Sequence, residues 1–95
     1  MKTSVEKLTK KHQQLTHSDN QKVLSHVQRD IKVAGVDWVL NTLMIEGCEV
    51  PFKFKRKQAY KNVQGCRVNL TYYHSTELVA GFDMEVMNVV RIKIS

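Results

Sequence analysis

Apolar and polar residues alternate along most of the second half of this chain, and a period of two is typical of β-strands. Val68, Leu70 and Tyr72 alternate with polar neighbours, and apolar residues recur at every second position through most of 78–94. Such a segment turns one face to a core and the other to solvent, which restricts how its strands can pair. The alternation therefore predicts a sheet in this half of the chain.

Two further strands are predicted between residues 38 and 57. Residues 38–45 are almost wholly apolar, which is typical of a strand covered on both faces, and Trp38 is therefore predicted to lie in the core. After a turn at 46–47, Phe52 and Phe54 alternate with lysines, so this strand should send its rings inward and its lysines outward. The two strands are predicted to form a hairpin.

A polar run at 74–77 is predicted to end the strand that begins near Arg67. Residues 78–94 then form either two strands joined by a tight turn or one long bent strand with Gly81 at a bulge. The absence of Gly and Pro near residue 87 favours the bent strand.

The N-terminal third is predicted to be helical. Apolar residues at spacings of three and four indicate a short helix over 4–15, within a mobile N-terminal segment of residues 1–17. A second helix is predicted over about 18–35, because its apolar residues fall on one helical face and Gly35 suits a left-handed C-terminal cap. Those apolar residues are Val23, Leu24, Val27, Ile31 and Ala34.

These elements predict a single α+β domain over residues 1–95, with two N-terminal helices and a four- or five-stranded antiparallel sheet over 36–95. A strongly curved sheet of this size often closes into a small barrel of the oligonucleotide-binding or SH3-like type. The alternative is an open sheet with the second helix packed across one face.

Composition limits the classes of function. The chain is short, lacks a segment of ~20 apolar residues, and has a charged N-terminus where a signal peptide needs an apolar run, so we expect a cytoplasmic protein that does not enter membranes. Cys48 and Cys66 are expected to be free thiols, and no metal-ligand spacing or catalytic motif is present. An enzyme is not expected, and neither is a cofactor.

The strongest functional pattern is a basic strip over 51–67 that contains no acid and accounts for most of the formal net charge of +6. Cations along a strand suit phosphates, and rings nearby suit bases. Pro51 and outward lysines also suit an exposed edge strand that must avoid pairing with another chain. The candidate binding residues are Lys53, Lys55, Arg56, Lys57, Lys61 and Arg67, with Tyr60 and Tyr73 as candidate stacking rings.

The leading hypothesis is a small nucleic-acid-binding domain for RNA or single-stranded DNA that contacts mainly the backbone and selects sequence weakly. The second is an adaptor or subunit that docks on an acidic protein through strand 50–57 or the first helix, or that forms a homodimer. The third is the recognition of a small anion such as a nucleotide in the barrel mouth.

Overall fold

Residues 15–95, as described by a computed structural model, form five β-strands and no helix. The predicted α+β class is therefore wrong for this part of the chain, whereas the predicted barrel is present. The first predicted helix lies, apart from Leu15, outside the described residues. The strands are β1 (Thr16–Val33), β2 (Val36–Ile45), β3 (Phe52–Arg56), β4 (Arg67–Val79) and β5 (Phe82–Ile94).

The five strands close into a barrel in the order β1-β2-β3-β5-β4. Strand β1 closes the barrel, because residues 16–22 pair with β4 and residues 23–33 pair with β2. All pairings are antiparallel except that of β3 with β5, which is parallel and joins Phe52 to Met87 and Lys53 to Asn88. The prediction of a purely antiparallel sheet is thus wrong at this one contact.

The second predicted helix, residues 18–35, is the long strand β1. Its apolar residues Val23, Val27 and Ile31 are four apart, a spacing that fits one face of a helix and also equals two periods of a strand. The register shifts between Val23 and Ser25, so Val23 and His26 both point into the barrel and the simple alternation is lost. Because the bulge breaks the alternation, the apolar pattern of this strand resembles that of a helix.

Two tight hairpin turns were missed. Ala34-Gly35 joins β1 to β2 and Ala80-Gly81 joins β4 to β5, and φ is positive at both residues of each pair (50° and 80°, 50° and 84°). Two consecutive positive φ values define the two-residue hairpin turn whose twist matches that of the strands. The turn predicted at 74–77 is wrong, because β4 continues to Val79 and β5 begins only at Phe82.

The core fills the barrel with inward-facing apolar side chains. Phe52 and Phe54 are 3% and 4% exposed, which confirms that their strand sends its rings inward. Tyr72 packs edge-on against Phe52, with ring centroids 4.8 Å apart. The other buried apolar residues of this cluster are Val23, Leu43, Ile45, Val63, Val68 and Leu70.

One polar network is buried among these apolar side chains. The backbone N–H of Val63 donates to His26 Nδ1 (3.0 Å), so the other ring nitrogen, Nε2, carries the proton and donates to Asn41 Oδ1 (2.7 Å). The network holds the segment between β3 and β4 against the barrel, with Val63 fully buried.

No helix long and apolar enough to cross a bilayer is found within residues 15–95.

Replacement of Asn41 by alanine should destabilise the protein by about 1 to 3 kcal/mol, because it leaves the buried Nε2–H of His26 without an acceptor. Urea unfolding followed by circular dichroism measures this change. The control is Gln58→Ala, which removes an exposed amide and should stay within about 0.5 kcal/mol of the parent. Equal unfolding midpoints for the two variants would contradict the structural role of the network.

Candidate nucleic-acid interface

The outer wall formed by β1, β2 and β3 carries a tryptophan and a row of lysines. Residues paired directly across neighbouring strands point to the same side of a sheet, so the strand register defines this wall. We call it the tryptophan surface. Two rows run from β1 to β3: Arg29, Leu40 and Lys55; and Val27, Thr42 and Lys53. A third row pairs Ile31 of β1 with Trp38 of β2, and Lys57, which directly follows β3, reaches over it with its side chain.

Two of the lysines lie over the ring of Trp38. The Nζ of Lys57 is 4.3 Å from the ring centroid, and the Nζ of Lys55 is 5.7 Å away. Both distances allow attraction between an ammonium group and the negative face of an indole ring. Because both lysines are exposed and Trp38 is half-buried, a flat ring and two cations are offered together to solvent.

The prediction that Trp38 lies in the core is wrong. The inward residues of β2 are those that share the parity of Asn41 and Leu43, and Trp38 has the opposite parity. Within the described residues, no second layer of strands covers this outer wall. When both faces of a strand are apolar, as in residues 38–45, the sequence does not indicate which face points outward.

Lys53 belongs to the same wall, but its charge is compensated. Its Nζ contacts Glu77 Oε1 at 2.7 Å, and both side chains are partly shielded from water. Lys53 pairs with Asn88 on β5, and Asn88 pairs with Tyr73 on β4. Paired residues point to the same side of a sheet, so Tyr73 lies on the continuation of this wall, two strands from Lys53, where it is half-buried.

Arg56 and Tyr60 lie instead at the mouth of the barrel. The guanidinium carbon of Arg56 is 4.8 Å from the ring centroid of Phe54 and 5.7 Å from that of Tyr60. Tyr60 packs edge-on against Phe54, and its backbone N–H and C=O both bond to the side chain of Gln28. The structure therefore fixes Tyr60 as part of the barrel end, whereas the sequence suggested a loop ring.

Lys61 and Arg67 are separated from the lysine row. Lys61 is exposed in the segment between β3 and β4. Arg67 begins β4, where it lies opposite Lys22 of β1 and donates from Nη1 to the backbone oxygen of Asn20 (3.1 Å). Of the eight predicted site residues, Lys53, Lys55, Lys57 and Tyr73 share one wall.

The sequence did not single out Trp38 or Arg29 as site residues. Arg29 lies opposite Leu40, one row from Trp38. Its placement on a predicted helix concealed this relation, since only the strand register brings it beside β2. For Trp38, the predicted hairpin could have indicated the site, because antiparallel pairing places the start of β2 beside the end of the lysine row.

Acids border the wall at the β1–β2 hairpin. A surface depression of about 400 Å³ is lined by Trp38, Lys57, Val39, Asp30 and Asp37. Asp37 forms a 3.7 Å ion pair with Lys32. The acids limit the cationic area at this end and leave Trp38 open toward Lys55.

Strand β3 is a free edge only over residues 54–56. It pairs with β2 along its length, and Phe52 and Lys53 also pair with β5. The oxygen of Pro51 accepts a hydrogen bond from the N–H of Met87 (2.9 Å). Protection of an exposed edge therefore explains Lys53 poorly, but it stays an alternative for Lys55, because residues 54–56, three of the five in β3, pair with β2 alone.

Comparisons with known proteins supply no relative: no family model matches the chain, and no match was found among curated proteins or solved structures.

Among residues 15–95, no group of three His, Cys, Asp or Glu side chains is placed to hold a metal ion.

With each quencher referred to its effect on free tryptophan amide, iodide should quench Trp38, the single tryptophan, about twofold more strongly than caesium does, because Lys55 and Lys57 attract the anion and repel the cation. Lys57→Glu should reduce this difference. Stern–Volmer titrations at constant ionic strength measure both effects. Lys61→Glu makes the same charge change away from the ring, and an equal response in the two variants would contradict the geometry.

Proposed function

We propose that this domain binds single-stranded nucleic acid, RNA or DNA, on the tryptophan surface. The observation that carries the proposal is the placement of Lys55 and Lys57 over the half-buried ring of Trp38. A base can stack on an indole ring while the ammonium groups beside it contact phosphates, and neither contact depends on base identity. Weak sequence selectivity follows.

The placement of the cations supports a strand of phosphates as the ligand. Lys55 lies on the outer side of β3 and Lys57 directly follows the end of that strand, and both ammonium groups reach the ring of Trp38. Arg29 extends the cationic row across β1, on the far side of Leu40. Exposed Val27 and half-buried Ile31 add apolar area on which a sugar or base edge can lie.

The architecture gives a second line of support. Five-stranded barrels of the oligonucleotide-binding type use the face of their second and third strands for oligonucleotides and oligosaccharides. Here Trp38 lies on the second strand of a closed five-stranded barrel, Lys55 lies on the third, and Lys57 directly follows the third. This likeness is one of architecture, and the residues of the site carry the functional argument.

The two other hypotheses have less support. Docking of a protein strand against β3 has only residues 54–56 available, because Phe52 and Lys53 already pair with β5. For a small anion in the barrel mouth, the guanidinium of Arg56 already packs on the rings of Phe54 and Tyr60. A nucleotide in the depression beside Trp38 would place its phosphates near Asp30 and Asp37. These arrangements are less favourable than a strand of phosphates over Lys55 and Lys57.

Trp38→Ala should weaken binding of a 12-nucleotide oligo(dT) or oligo(U) by roughly 5- to 100-fold, the range expected for the loss of one base–ring stack. Trp38→Phe keeps a ring and should retain most of the affinity. Fluorescence anisotropy of a labelled oligonucleotide measures the dissociation constants. Equal affinities of the parent and Trp38→Ala would argue against the tryptophan surface.

The double variant Lys55→Gln/Lys57→Gln should lower the slope of log affinity against log salt by about 1.4, since each phosphate contact to a single strand contributes ~0.7. The matched control is Lys32→Gln/Lys61→Gln, which removes two cations outside the tryptophan surface. A parent whose binding is insensitive to salt, or equal slopes for the two double variants, would overturn the proposal.

A further inference from the structure

A second cationic wall lies on the other side of the barrel, where the first part of β1 and the last part of β5 flank β4. We call it the β4 surface. Lys22 lies directly opposite Arg67, and all its cations are exposed. Lys93 pairs with Asn69 and Arg91 pairs with Thr71, so both point outward with these polar residues. Its four cations are Lys22, Arg67, Arg91 and Lys93.

The charge of the β4 surface is uncompensated. None of its four cations takes part in an ion pair within residues 15–95. Segments 16–22, 67–71 and 91–94 contain a single acid, Asp19, whose carboxylate contacts His17 at 2.7 Å. Like charges directly opposite one another on neighbouring strands destabilise a sheet, so the pairing of Lys22 with Arg67 carries a cost in stability.

The geometry favours an extended anion over a small one. Neighbouring strands are ~4.8 Å apart and alternate residues ~7 Å apart, so the four cations spread over three strands and span more than 10 Å. The guanidinium of Arg67 is held by the backbone oxygen of Asn20, which keeps this charge at the surface. Successive phosphates of one nucleic-acid backbone can reach such a spread of charge.

The β4 surface differs from the tryptophan surface in having no tryptophan, tyrosine or phenylalanine in segments 16–22, 67–71 and 91–94. Tyr73 follows two residues beyond Thr71 on the same side of β4, where the β4 surface borders the continuation of the tryptophan surface. The four cations themselves offer phosphate contacts without a large ring among them, which suits a duplex or the backbone of a second strand segment. The two surfaces are centred on β4 and β2, which are not neighbours in the barrel.

We infer that the β4 surface is a second nucleic-acid contact that binds the phosphodiester backbone independently of base identity. The domain then holds two segments of nucleic acid at once, a base-stacked single strand on one wall and a backbone on the other. The inference extends the proposed function, but its own contact does not require Trp38.

Nuclear magnetic resonance titration of the full chain with a 20-base-pair DNA duplex, at low salt, locates this contact. Backbone amides of 67–71 and 91–93 should shift, and the double variant Arg67→Glu/Lys93→Glu should bind the duplex at least tenfold more weakly. Its salt slope should fall by about 1.8, because each duplex phosphate contact contributes ~0.9. Lys22→Gln/Lys93→Gln serves as the second variant if loss of the Arg67 bond to Asn20 prevents folding.

The matched control, Lys32→Glu/Lys61→Glu, makes the same charge change outside both surfaces. The parent is also titrated with a 12-nucleotide oligo(dT). Shifts near Trp38 alone, with either ligand, overturn the second contact and leave the proposed function standing. Shifts at the β4 surface alone support the second contact and overturn the proposed function. Binding of neither ligand overturns both, and an equal loss in the control variant overturns the assignment to the β4 surface.

Discussion

The division of β1 between two partners is the constraint on which the rest of the structure depends. The strand changes partner from β4 to β2 near Lys22 and Val23, and its register shifts on both sides of that point. Asn20 has φ 58°, a conformation that asparagine tolerates better than most residues, and its N–H donates to Asn69 Oδ1 at 2.9 Å. Bulges of this kind bend a strand and so allow a five-stranded sheet to close.

Closure in turn creates two walls with different chemistry. The C-terminal part of β1 brings Arg29 beside β2, whereas its N-terminal part brings Lys22 beside β4. The interior is filled by the other parity of the same strands and by the bonded pair of His26 and Asn41, so the cations of both walls are confined to the outside. Each wall therefore takes its charge from strands that are distant in sequence.

The sequence predicts the parts of this fold in which alternation is unbroken. Phe52, Phe54 and the outward lysines follow from parity alone. The barrel was predicted from the number of strands and the placement of glycines, as one of two outcomes of a curved sheet. The helix predicted over 18–35 was wrong because a bulge interrupts the alternation where Val and Ile are spaced by four. The site was predicted in part: parity gave the lysine row, but only strand register places Trp38 beneath Lys57 or separates Arg67 from that row.

The ring of Trp38 also helps to explain how Lys55 and Lys57 can lie close together without an acidic partner in an ion pair. Two ammonium groups near one ring repel each other, and the negative face of that ring offsets part of the repulsion. Lys53, farther along the row, forms an ion pair with Glu77, whereas no ion pair of Lys55 or Lys57 is found within residues 15–95. The ring attracts both ammonium groups without cancelling either charge. A phosphate between them would relieve the remaining repulsion, so the contact that stabilises the free protein also favours the anion we propose.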